Sequence, residues 1–138
     1  MPRTLSIQTT GKGLYEITAE VQAAVRALDE SVNGVCTVFV QHTSASLTIQ
    51  ENADPSARSD IEAWLERTVP EHDPHYTHVH EGPDDMPSHI RSILTGIHLS
   101  IPVESGRLML GTWQGIYLCE HRRSPHLRHV VVVTSPGH

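Results

Sequence analysis

The sequence predicts an α+β fold, one compact domain over residues 1–138 in which a mostly antiparallel or mixed β-sheet is backed by two or three helices. Three observations carry this reading. Apolar residues recur at helical spacing in three short stretches, each with a capping residue or a proline at its start. Short alternating or β-branched runs, separated by Gly, Ser or Pro, fill much of the remainder and nearly all of the last forty residues. Finally, 138 residues at 38% apolar composition suffice for a single core that buries roughly two-thirds of the unfolded chain's surface. With only 4% aromatics that core is mainly aliphatic.

Element by element, RTLSIQT (residues 3–9) alternates as a strand does, and Gly11-Lys12-Gly13 turns the chain. Ile17, Val21, Ala24, Val25 and Leu28 then define a helical face, with Thr18 as its cap and Gly34 beyond its end. VCTVFVQ (35–41) is β-branched and bounded by Gly34, so it reads as a buried strand. ASLTIQE (45–51) reads as its antiparallel partner, with His42, Thr43 and Ser44 at the bend. Asp54-Pro55 opens a second helix, an acidic cap followed by proline at the first helical position; it runs through Ile61, Trp64 and Leu65 until Pro70. Residues 71–85 have no apolar period and predict a loop. Met86-Pro87 opens a third helix with Ile90, Ile93 and Leu94 facing inward and Gly96 ending it. HLSIPV, RLMLGTW, GIYLCEH and HLRHVVVVT close the chain as strands.

Composition removes several function classes. A net charge of −6 argues against a general nucleic-acid surface. No apolar run reaches membrane-spanning length, and MPRTLSIQTT lacks the apolar centre of a signal peptide, so no membrane partner is expected. Two cysteines make no disulfide framework; Cys36 and Cys119 lie in apolar runs and read as buried free thiols of a cytoplasmic protein. GxGxxG, Walker A, HExxH, GxSxG and CxxC patterns are all absent from the sequence. The eleven histidines stand out, because they titrate near neutral pH, ligate metals and carry protons. For His72, His75, His98, His126, His129 and His138 a solvated surface role is the expectation.

Three segments concentrate reactive side chains. In QHTSASLTIQENADP (41–55), strand alternation puts Glu51 on the aliphatic face with Leu47 and Ile49, where partial burial is expected to raise its pKa. Asn52 and Asp54 follow at a helix mouth, and His42 reads equally as a ligand or a hydrogen-bonded strand end. In HVHEGPDDMPSH (78–89), His78 and His80 project the same way if extended, Asp85 caps the next helix, and His89 lies in its first turn. A helix N-terminus holds phosphate, and a divalent cation reconciles that with Asp84 and Asp85. In GTWQGIYLCEHR (111–122), Trp113 and Gln114 between two glycines suit a flat heterocycle, Glu120 alternates with His121, and Arg122 with Arg123 can clamp phosphate. Each has a plain structural alternative: a capped helix, a solvated loop, or a tryptophan over the core.

The strings HTSASLTIQENADPSARSD, HEGPDDMPSHI and LGTWQGIYLCEHR give the chain a nearly end-to-end resemblance to the YjbQ-like family of secondary thiamine-phosphate synthases. The resemblance implies a compact α+β fold, a homotrimer and a polar cleft at subunit boundaries. It implies histidines at the places of His42, His78 and His89, and acids at Glu51, Asp54, Glu81, Asp84 and Asp85, with His80 at a variable position. The implied reaction joins a pyrimidine pyrophosphate ester to a thiazole phosphate and releases pyrophosphate. On that reading Glu51, Asp85 and Glu120 are the catalytic candidates, and Asn52, Trp113, Gln114 and Arg122 bind substrate. His42, His78 and His89 hold a divalent metal, Mg or Zn, and the partner is a phosphorylated small molecule. The alternatives are a non-catalytic trimeric module that binds a phosphorylated metabolite or metal, and a metal-dependent hydrolase.

Overall fold

The computed structural model describes residues 1–137; His138 lies outside the described residues. In chain order the elements are β1 (Arg3–Gln8), β2 (Gly13–Glu16), α1 (Thr18–Leu28), β3 (Gly34–Val40), β4 (Ala45–Glu51), α2 (Pro55–Thr68), α3 (Asp85–Thr95), β5 (His98–Glu104), β6 (Arg107–Leu108), β7 (Gln114–Glu120) and β8 (Leu127–Pro136). The strands form two antiparallel sheets, one ordered β1-β8-β3-β5-β6 and the other β2-β7-β4. The α+β class holds, with three helices.

The main core lies between the sheets and α1. Val21, Ala24 and Val25 of α1 meet Cys36, Val38 and Val40 of β3, Val130 and Val132 of β8, and Leu47, Ile116 and Leu118 of the smaller sheet. A second, smaller cluster of Leu14, Tyr117 and Cys119 packs with Ile61 of α2. The smaller sheet is thus covered on both faces, which is why β7 is buried continuously from Gly115 to Glu120. Both cysteines are free and buried, and burial pushes the Cys36 thiol up to about 11 and the Cys119 thiol up to about 12.

The structure departs from the sequence expectations at several points. β3 and β4 are not a hairpin: β3 pairs with β5 and β8, and β4 pairs with β7. The bend at 42–44 is therefore a crossing from one sheet to the other. Gly13–Glu16, of which the sequence expectation covers only Gly13, as part of a turn, is a strand because its backbone pairs with β7. Only Arg107–Leu108 of RLMLGTW is strand. Thr18 does not cap α1; its hydroxyl accepts from the Ile116 N–H at 2.9 Å and donates to Glu16 at 2.9 Å. Asp54 does cap α2, accepting from the Ser56 N–H at 2.9 Å.

The largest reversal is in α3. Its inward face is Ser88, Arg91 and Ser92, whereas Ile93 is 81% exposed and Leu94 is also exposed. The small serines let the helix lie close on β4: Ser92 Oγ donates to the carbonyls of Ser88 at 2.9 Å and Ala45 at 3.4 Å. Arg91 anchors it to α2, donating to Glu66 at 3.0 Å and to the Val69 carbonyl at 2.8 Å. The helix begins at Asp85, so Asp84 holds the cap position, and its carboxylate faces Arg122 and Arg123 rather than the helix N–H groups.

Candidate metal centre

Three of the sequence-derived candidates converge where the loop after α2 enters α3. Asp85 and His89 are four residues apart on one helix, so they share a face. His78, from the preceding loop, meets them there. Its Nε2 lies 2.7 Å from Asp85 Oδ2, and His89 Nε2 lies 3.0 Å from the same oxygen. The ligand atoms of all three residues fall within 4.8 Å of one another.

The protonation of His89 gives this cluster its meaning. Its Nδ1 lies 2.8 Å from the Thr43 carbonyl, which can only accept, so Nδ1 carries hydrogen. In the neutral ring Nε2 then bears a lone pair, and it faces a carboxylate oxygen. Two acceptors in that relation need a cation between them, either a second ring proton or a metal ion. A carbonyl that fixes one ring nitrogen while the other faces a metal is the usual support of a ligating histidine. Two imidazoles and a carboxylate also form a common donor set for a divalent transition metal with a remaining open position. The residues present fit such an ion.

Arginine holds the carboxylates in place. Arg122 donates from Nη1 to Asp85 Oδ1 at 2.7 Å, from Nε to Asp84 Oδ2 at 3.0 Å, and from Nη2 to the Glu81 carbonyl at 2.9 Å. Burial pushes Asp84 up, but the Arg123 N–H and the Arg122 guanidinium outweigh it and hold this carboxyl below its usual range. Two carboxylates against one guanidinium leave an excess negative charge next to the two imidazoles. Beside His89 opens a largely apolar hollow of about 580 Å³, bounded by His42, Thr43, Ser92, Ile93 and Ile97.

Other candidates lie elsewhere. His42 follows β3, and its Nε2 accepts the His129 N–H at 2.8 Å, so that nitrogen is occupied by the backbone. Its Nδ1 faces Arg128 at 3.3 Å, and burial followed by Arg128 lowers its pKa. It borders the hollow but is not part of the triad. His80 is exposed in the loop, outside the triad. Glu120 is buried and held by Arg128 at 2.8 and 2.5 Å, by Thr9 Oγ1 at 2.7 Å and by the Arg122 N–H at 3.1 Å. Burial raises its pKa, yet Arg128 and Thr9 outweigh that and keep it ionised. It positions the Arg122 backbone.

Glu51, Asn52, Trp113 and Gln114 gather at the opposite end of the smaller sheet. Glu51 is paired in register with Gln114, and the Asn52 N–H donates to the Trp113 carbonyl at 3.0 Å. Gln114 Oε1 closes the turn by accepting the Gly111 N–H at 2.7 Å, and Trp113 is 64% exposed. Glu51 is exposed, so the partial burial expected for it is absent. The length of β7 separates this cluster from Glu120 and Arg122, about 20 Å at strand rise.

The sequence gives no site role to Thr43, whose carbonyl meets His89, or to the buried Arg91, His121 and Arg128. Arg128 had a signal: it is in phase with Val130 and Val132, the inward residues of β8.

Fold and centre together define an α+β domain of two antiparallel sheets with a His–Asp–His constellation at a loop–helix junction. The chain belongs to the YjbQ-like family: the family model described as UPF0047 protein YjbQ-like matches residues 3–137. It is 51% identical to a UPF0047 protein of Synechocystis sp. over 131 residues, 95% of this chain and 88% of that one. It is 46% identical to the UPF0047 protein YjbQ of Salmonella typhimurium, over 87% of this chain and 86% of that one. Among solved structures, an uncharacterized conserved protein of the YjbQ/UPF0047 family from Clostridium acetobutylicum superposes with a TM-score of 0.87 at 38% identity, covering 96% of this chain and 99% of that one. A conserved hypothetical protein from Thermus thermophilus gives 0.86 at 37% identity, with the same coverage of 96% and 99%.

Proposed function

We propose that the protein is a metal-assisted transferase of the thiamine-phosphate synthase kind, acting on phosphorylated small molecules and releasing pyrophosphate. The observation that supports this best is the fixed orientation of His89, whose Nε2 is left facing Asp85 beside His78. Two nitrogen donors and one oxygen suit zinc better than magnesium, which prefers an oxygen shell. A divalent ion bound there supplies charge neutralisation for the departing pyrophosphate. The chain's own residues do the rest. Arg122 fixes Asp85 through the carboxylate oxygen that the histidines leave free, and Thr43 fixes the His89 ring. The apolar hollow beside His89 takes the uncharged part of the substrate.

On the same reading the protein is a cytoplasmic homotrimer in which Trp113, Gln114, Asn52 and Glu51 of one copy reach the His–Asp–His centre of the next. Their separation from that centre within one chain is what supports a shared site. The buried free thiols suit a reducing compartment, and among the described residues no helix is long and apolar enough to cross a membrane. A metal-dependent hydrolase is the second reading; the half-exposed His78 leaves the centre open to water.

The test is elemental mass spectrometry of untagged protein, together with pyrophosphate release from a pyrimidine pyrophosphate and a thiazole phosphate. Near-stoichiometric metal is expected in the wild type. In the His78→Ala/His89→Ala double variant it should be lost, along with at least about a hundredfold of the rate, while the fold persists. Equal synthesis by the double variant overturns the assignment. Metal loss without any synthesis by the wild type favours the hydrolase.

A further inference from the structure

A second site lies between the smaller sheet, α2 and α3, and a chain of hydrogen bonds fixes its chemistry. Thr95 Oγ1 donates to the Arg91 carbonyl at 2.8 Å, which commits its one hydrogen. The hydroxyl hydrogen of Ser46 therefore points to Thr95 Oγ1, and Ser46 Oγ is left to accept from His121 Nε2, 2.8 Å away. His121 is only 3% exposed. Burial, then Arg91, pushes its pKa down to about 3, so the ring is neutral with its hydrogen on Nε2. Its Nδ1 consequently carries a lone pair, and among the described residues no group donates to it.

His121 borders a cavity of about 330 Å³ between β2, α2 and α3, walled also by Lys12, Leu14, Glu62, Leu65 and Arg91. The cations around it are already paired. Lys12 bridges Glu66 and Glu71 at 2.9 Å each, Arg91 holds Glu66 at 3.0 Å, and Glu62 accepts the Leu14 N–H at 2.9 Å. An anion would have to displace Glu66 or Glu71 from these pairs. Among the described residues the buried Arg91 Nε–H has no partner, and the one side-chain hydrogen bond of His121 is made by Nε2, which leaves Nδ1 without a protein donor. The geometry points to this cavity as a binding site for a small non-anionic molecule that offers an N–H to His121 Nδ1 and an apolar edge to Leu14 and Leu65.

The probe is pyrazole, a neutral N–H donor, with 1-methylpyrazole as the control that lacks the hydrogen. In protein labelled with nitrogen-15 at histidine, the His121 ring should show a protonated Nε2 and a bare Nδ1. Pyrazole should shift the Nδ1 resonance saturably, and the methylated control should bind about tenfold or more weakly, because it leaves the acceptor unmet. The His121→Gln variant should lose that preference. Identical behaviour of the two probes, or a proton already on Nδ1, overturns the proposal and leaves a cavity for water only.

Discussion

At the scale of single residues, neutrality of a buried imidazole couples this fold to pH. His121 faces Arg91 of α3, Glu120 of β7, Arg128 of β8 and Lys12 ahead of β2; burial and the cations together outweigh the carboxylate. Its folded pKa, about 3, lies below the unfolded value near 6.5, so between these the unfolded chain binds the extra proton. Stability contributed by the neutral ring is whole above the unfolded pKa and falls as pH drops through the window. The slope approaches about 1.4 kcal/mol per pH unit for one proton. His42 is shifted the same way, by burial and then Arg128, and adds to the trend. Urea denaturation at pH 7.5, 6.5 and 5.5 should show the wild type losing stability toward acid. His121→Gln keeps an N–H for Ser46 without a titrating ring, and its loss should be smaller by nearly one proton's slope. An unchanged slope would mean that His121 is protonated in the folded state.

At the scale of elements, the buried Arg128–Glu120 pair joins β8 of the larger sheet to β7 of the smaller. Removing one partner leaves the other charge buried without compensation, so Arg128→Met should cost about 3–5 kcal/mol. The double variant Glu120→Gln/Arg128→Met should recover much of that, read from denaturation midpoints. Equal stability of the single and double variants would show that Glu120 finds another cation. These elements also mark how far the sequence can be read. Alternation, apolar periodicity and, for α2, capping revealed β1, α1, α2, β5 and β8, because those signals are local. The division into two sheets was hidden, since adjacency of β3 and β4 in sequence suggested a hairpin while long-range pairing with β5, β7 and β8 decided otherwise. In α3 the apolar stripe of Ile90, Ile93 and Leu94 was legible, but the side that faces this chain's core is the serine and arginine side. The centre was half legible. Spacing pairs His78 with His80 and makes Asp85 a cap, and the family resemblance sets His78 and His89 beside His42 as ligands. That Asp85 joins the two histidines, and that the Thr43 carbonyl orients His89, has no sequence signal.

At the scale of the whole molecule, apolar side chains face outward on more than one side. On α3 and just beyond it, Ile93, Leu94 and Ile97 are exposed beside the hollow that adjoins His89. On the outer side of the larger sheet, Val35 and Phe39 of β3 are exposed as well. Exposed apolar area on two sides of a 15.3 kDa chain mostly marks association surfaces, and such a pair suits the proposed homotrimer. Light scattering in solution should return three times the chain mass. Ile93→Asp places a charge in the α3 surface while leaving the core untouched, so a shift to monomer without loss of helical signal is the expected result. That monomer discriminates between two placements of the Trp113 cluster. If one copy completes the next copy's centre, the monomer keeps its metal, because His78, Asp85 and His89 come from a single chain, but loses synthesis. If the monomer retains full synthesis, the reaction needs only the residues around His89. Trp113, Gln114, Asn52 and Glu51 would then serve the turn and strand end where they lie.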